Sequence, residues 1–168
     1  MKTSEDLQFQ DKTKKKIDVS IVDISFLSSQ DVIILLRSDF CFELLLLQGR
    51  ANISVESVEY IGIHIITPTY TKISIYDSIE NDNEIKLFAT GTTKNIDVWN
   101  IKIEKQSLFK FEKTDFLSKH SDVCRDVLVI NNKQFSLLVS CGLDGNVLVW
   151  DVLTLNLKGK RFVLLISI

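Results

Sequence analysis

The 168-residue sequence predicts an all-β fold of two to three repeated, four-stranded antiparallel units. Three observations carry that prediction. Runs of Ile, Leu, Val and Phe, five to nine residues long, alternate with clusters of Asn, Asp, Ser and Gly, the pattern of short strands punctuated by turns. No stretch of helical period exceeds two turns without reading equally well as strand. Finally, the only two tryptophans stand at matched places in two segments that align without a gap.

Those segments are residues 89–101 and 140–152, offset by 51 positions. Gly91 lies over Gly142, Asn95 over Asn146 and Trp99 over Trp150, while Ile96 and Val98 lie over Val147 and Val149. In each copy an apolar run (87–90; 137–141) enters a polar turn, and a β-branched run leaves it and ends on Trp. The later turn contains Asp144-Gly145, a strong hairpin signal because Gly tolerates positive φ and Asp can bond its own backbone. Thr93-Lys94 occupies that place in the earlier copy, so its hairpin should be looser.

The remaining strands follow from their neighbours. Residues 123–130 precede an Asn131-Asn132-Lys133 turn, residues 73–76 precede an acidic stretch at 77–84, and residues 108–112 supply a fourth strand for the earlier unit. A further unit without Trp is readable at the start: strands at 19–26, 32–36 and 40–47, with turns at 28–31 and 38–39. Pro68, which lacks the N–H a central strand needs, suits a connection. The organisation is therefore a polar leader at 1–16 and then units at about 17–70, 71–119 and 120–168.

Trp99-Asn100 and Trp150-Asp151 carry a family resemblance. The segments resemble WD40 repeats, which implies a partial β-propeller of two to three blades. On that resemblance His120, Ser140, Asp144 and Trp150 occupy the places of a side-chain network: the turn Asp holds the loop His, the His meets the strand Ser, and the Ser meets the indole N–H. Each buried polar group then has a partner, where an unpaired one costs roughly 1–3 kcal/mol. Counting back 51 residues gives Thr69, Ala89 and Thr93 in the earlier copy, so only Trp99 survives and that unit should hold by apolar packing alone. Gly91, Trp99, Asn100, Gly142, Gly145 and Asp151 are the repeat signature. The period exceeds the usual ~40–45 residues, and the extra residues fit between Lys102 and Lys119. Residues 120–123, 137–140 and 143–145 also resemble large WD-repeat proteins of cilia and flagella.

Propellers have roughly 4–8 blades, more than these units supply. The expectation is a fragment of a longer propeller protein, or a chain that completes its ring with another. The run Phe162 to Ile168, without charge or proline, should be an edge strand prone to self-association.

Chemistry is sparse. The net charge of −2, from 20 basic and 22 acidic residues, argues against a nucleic-acid binder. No apolar run approaches the ~18 residues of a membrane span, and residues 1–16 do not form a signal peptide. An Asn52-Ile53-Ser54 sequon matters only on export. Cys41, Cys124 and Cys141 form no CxxC pair, so a reduced intracellular, cytoplasmic setting is expected and a metal site is not; the ciliary likeness offers a narrower location. Cys41 reads as core, and His64, alternating with Ile61, Ile63 and Ile65, as a strand residue. His120 is a general base only if it is free of the network. The acidic stretch fails the EF-hand spacing, since Ile79 and Asp82 stand where Asp and Gly are required. The Lys12 to Lys16 cluster reads as a solvated leader, and both tryptophans as wedges between sheets. The expected function is therefore a non-catalytic, cofactor-free protein-binding scaffold. The alternatives are a recruiting or regulatory segment of an enzyme whose catalytic domain lies elsewhere, and a truncated product without stable function.

Overall fold

The computed structural model describes residues 19–27, 31–50, 54–66, 69–78, 85–104, 108–132 and 134–162. The leader with its lysine cluster, Asn52 and Ile53 of the sequon, Pro68, most of the acidic stretch and residues 163–168 lie outside the described residues. Twelve strands form three four-stranded antiparallel sheets, each a simple meander. The first holds β1 (Ile21–Leu27), β2 (Val32–Arg37), β3 (Cys41–Arg50) and β4 (Ser54–Ile65). The second holds β5 (Tyr70–Asp77), β6 (Ile85–Gly91), β7 (Ile96–Glu104) and β8 (Leu108–Leu117). The third holds β9 (Cys124–Asn131), β10 (Ser136–Gly142), β11 (Asn146–Asp151) and β12 (Leu157–Phe162). The fold is all-β, in three blade-like units, as the strand and turn pattern implies.

The Trp-less opening unit forms a complete sheet because its alternation is sound. Val32, Ile34 and Leu36 of β2 are buried while Ile33 and Leu35 between them are only half-buried. The two aligned hairpins differ at their tips. Gly145 takes φ 68°, and the β10–β11 ladder runs up to Cys141↔Val147. The β6–β7 ladder ends at Ala89↔Asp97, one aligned pair earlier, so the Thr93-Lys94 hairpin is the looser one. The long period also has a local cause. Asp151 ends β11 by accepting the N–H groups of Leu153 and Thr154 (3.0 and 2.8 Å). Asn100 stands in its place, but Ile101 and Ile103 continue the strand alternation, so β7 runs on to Glu104 and pairs back to Leu108. The extra residues are a longer hairpin.

The sheets pack face to face, leaving two cores. In one, Leu27, Ile34, Leu36 and Phe42 of the first sheet meet Ile73, Leu87, Ala89, Trp99 and Ile101 of the second. In the other, Tyr76, Phe88, Ile96 and Val98 of the second meet Val127, Leu138, Leu148 and Trp150 of the third. The second sheet is thus covered on both faces, and every residue of β6 is buried. Burying one large aliphatic or aromatic side chain contributes about 1.5–3 kcal/mol, so these seams hold the sheets together. Edge backbone is satisfied across them. Asp23 accepts from Ile73 N–H (2.7 Å) and from Lys72 Nζ (3.1 Å). Ser74 Oγ accepts from Val129 N–H at 2.9 Å, and Thr90 donates to the Cys124 carbonyl at 2.8 Å.

Candidate functional site

The third sheet brings His120, Ser140, Asp144 and Trp150 into one line. β10 and β11 set Ser140 and Trp150 on the same buried face, and the indole Nε1–H donates to Ser140 Oγ at 2.9 Å. His120, in the connection before β9 and 3% exposed, places Nε2 2.9 Å from the same hydroxyl. Its Nδ1 lies 3.0 and 3.1 Å from the two carboxylate oxygens of Asp144. Donor capacity orders the protons. A carboxylate only accepts, so Nδ1 carries a proton; Ser140, already accepting from Trp150, gives its own proton to Nε2. Burial by itself would raise the Asp144 carboxyl. Hydrogen bonds from Asn146, from Ser121 N–H and from His120 outweigh it and hold that carboxyl well below the usual carboxylate range. Both nitrogens of His120 are therefore occupied, which leaves no lone pair to take a proton from a substrate.

The aligned glycines are required by close approach. A Cβ on Gly142 would stand 2.8 Å from His120 Nδ1 and 2.9 Å from Asp144 Oδ1, inside the network. A Cβ on Gly91 would overlap the Thr69 carbonyl oxygen and lie 2.8 Å from Tyr70 Cα. In both sheets the incoming connection crosses the tip of the second strand, and only Gly leaves it room. Gly145 supplies the turn, and Asp151 caps the segment after β11 and pairs with Lys158 at 3.3 Å. Asn100 makes no such cap.

The second sheet does not hold by apolar packing alone, which corrects the reading from spacing. Trp99 Nε1–H donates to Tyr70 Oη at 3.1 Å, and that hydroxyl donates to Asp97 Oδ2 at 2.6 Å. Lys113 Nζ pairs with the same oxygen at 2.7 Å. Burial, followed by the Asp97 carboxylate, pushes the Tyr70 phenol up, so it stays a donor. A different set of side chains thus again links the indole to a carboxylate. Tyr70 adjoins Thr69, the residue aligned with His120, and Asp97 is two residues before Trp99. A polar residue on the tryptophan's own strand face was the available signal.

The other singled-out side chains are structural. His64 stacks on Phe111 (centroids 5.0 Å apart) and stands edge-on to Trp99 at 5.5 Å; burial lowers its pKa. Burial, then the Asp39 carboxylate that accepts its S–H, pushes the Cys41 thiol up to about 11. Burial likewise takes Cys124 to about 11. Neither is a thiolate near neutrality. An open depression of about 1090 Å³ lies at one end of the third sheet, walled by Tyr76, Asn131, Phe135, Leu153 and Lys158 among others.

Meandering four-stranded sheets stacked face to face, two of the three with a Trp tied into a polar chain, are the blades of a β-propeller. Their particular type is shown by solved structures. The chain is similar to the structure of U3-55K (TM-score 0.59, 16% identity, 87% of this chain and 40% of that one). It is equally similar to the RRP9 WD40 repeats (TM-score 0.59, 15% identity, 87% and 39%). The fold is that of part of a WD40 propeller, and the chain spans about two-fifths of the length of those structures. No family model and no curated protein matches it.

Proposed function

We propose that the chain is a non-catalytic protein-interaction scaffold, within a propeller that holds more blades than these three. The blade fold carries this reading, since such a fold offers rim loops and strand edges on a rigid support. The closure of His120 between Asp144 and Ser140 favours a scaffold over an enzyme, because the only histidine in a polar setting is committed to holding a blade together. Its partners are other proteins, and its three free cysteines suit a reducing, intracellular compartment. Two assays test it together. Crosslinking of the tagged chain in its own cells should recover protein partners, and the purified chain should leave ester, peptide, glycoside and nucleotide substrates unchanged. Turnover that disappears in a folded His120→Ala protein would overturn the scaffold reading.

A further inference from the structure

The seam between the first and second sheets is closed in two different ways across its width. At the inner edge β1 meets β5, and Asp23 accepts Ile73 N–H at 2.7 Å and Lys72 Nζ at 3.1 Å. Leu27, Ile34 and Leu36 belong to the same core there as Ile73 and Leu87. At the outer edge β4 meets β8, and the joint is a group of aromatic rings. Of the described side chains of β4, Ile65 is 78% exposed and His64 crosses to the second sheet. His64 stacks on Phe111 with centroids 5.0 Å apart and 26° between the planes, and on Phe42 at 6.4 Å and 11°. Trp99 stands at 78° to it, 5.5 Å away. Phe42 in turn meets Phe111 at 5.4 Å and Trp99 at 5.7 Å, so the rings form one cluster spanning both sheets. Phe42, Trp99 and Phe111 are buried, and half-buried His64 is its most exposed member.

An imidazole suits this place only while it is neutral. The charges around the cluster are already matched. Asp97 of β7 and Lys113 of β8, on the faces that carry Trp99 and Phe111, pair with one another at 2.7 Å. Tyr70 of β5 donates to the same Asp97. Glu43 of β3 pairs with Arg37 of β2 at 2.8 Å, and Glu112 of β8 with Lys102 of β7 at 3.2 Å. Among the described residues, no carboxylate is left over to face an imidazolium and no hydrogen-bond partner holds the ring nitrogens. A cation at His64 would lose water without gaining a counter-ion, and burial accordingly lowers its pKa.

We propose that His64 is a proton-operated latch on this seam: taking up a proton from solvent releases the outer edge of the first sheet from the second, and the two sheets part about the β1–β5 contact. Opening uncovers Phe42 and Phe111, an apolar surface that is buried while the latch is closed. Both sheets of this seam are described, so the surface at stake is created by the proton. In the seam between the second and third sheets the buried side chain at the end of β8 is Leu117, which does not titrate. Because His64 titrates lower in the closed seam than its ordinary value of 6.5, the neutral form favours closure. Closure is at full strength above about pH 6.5 and weakens as pH falls through that value towards the closed-state one. The inference stands whether or not the chain binds partners.

Two measurements on the full chain test this together. The chain has two histidines, so nuclear magnetic resonance can follow both imidazole Cε1–H signals from about pH 8 to about pH 5. The signal missing from His64→Phe belongs to His64, and its midpoint should lie below 6.5. Backbone hydrogen exchange, corrected for its intrinsic pH dependence, is measured over the same range. In wild type β4 and β8 should lose protection several-fold on acidification, while β1 and β5 keep theirs. That loss should approach the ratio of the His64 acid constants in the closed and open seams, so the two measurements must agree. His64→Phe keeps a flat ring that cannot take a proton, and β4 and β8 should stay protected throughout. His64→Gln, also uncharged, gives the same reading if the phenyl does not pack; near-ultraviolet circular dichroism at neutral pH checks that each variant is folded. A His64 midpoint at or above 6.5, as a proton held against the faces of Phe42 and Phe111 would give, overturns the proposal. So does unchanged protection of β4 and β8 across the range, or an acid loss that persists in either folded variant, which would assign it to other groups.

Discussion

In the third sheet the direction of donation, from Trp150 through Ser140 and His120 to Asp144, decides what each substitution does. Asp144→Ala strands the His120 Nδ1–H and Ser121 N–H, and a buried unsatisfied donor costs roughly 1–3 kcal/mol. His120→Ala removes one donor from Asp144, which keeps Ser121 N–H and Asn146 N–H, and leaves the Ser140 hydroxyl proton without its acceptor while Trp150 still donates to Ser140. The double variant should lose less than the sum of the two, by about 0.5–3 kcal/mol in urea denaturation; additive losses would remove the coupling. The pH dependence has a definite sign. Asp144 titrates lower in the folded state than its unfolded value of ~3.9, so its ionised form favours folding. That contribution is complete above about pH 5 and disappears as pH falls through 3.9 towards the folded value. Urea midpoints between pH 2 and 7 should therefore slope less in Asp144→Asn than in wild type, and equal slopes would contradict the assignment. In the second sheet, Tyr70→Phe removes the link between Trp99 and Asp97 at a cost of about 1–3 kcal/mol. A neutral result in thermal unfolding would return that blade to apolar packing alone.

At the level of hairpins, alignment and geometry give opposite advice. Lys94 aligns with Gly145, which suggests that Gly would improve the β6–β7 turn. Lys94 is not at positive φ, however, and Gly145 is. Lys94→Gly should therefore lower stability by about 0.5–1 kcal/mol through added chain entropy. Gly145→Ala should cost about 1–2 kcal/mol because an L-residue there is strained. Thermal unfolding of the two variants checks both, and a stabilised Lys94→Gly protein would show the turn was misread. The same contrast explains what the sequence made legible. The β6–β7 and β10–β11 hairpins keep the same spacing from Gly to Trp, so spacing exposed them; the third sheet's network was legible only through the resemblance of His120, Ser140, Asp144 and Trp150 to a WD40 repeat. The Tyr70–Asp97 chain was hidden because the 51-residue offset that matches Gly and Trp lays Thr69, not Tyr70, over His120, and Tyr70 already begins β5 where His120 precedes β9. Only the end of β4, around His64, reads as strand, since its first half mixes Ser and Glu into the alternation.

Across the whole molecule, stability should follow coverage. Among the described residues the second sheet is packed on both faces, the first and third on one. Local opening is easiest where fewest apolar groups are buried, so backbone protection should form three blocks of unequal depth. Hydrogen exchange on the intact chain, followed by mass spectrometry, measures this directly and tests the three-blade account as a whole. The account predicts protection maxima at β2, β6 and β10, separated by fast-exchanging connections, with β6 the slowest and β12 faster than β10. Equal protection along the chain, or a β6 that exchanges as fast as its flanking turns, would contradict it.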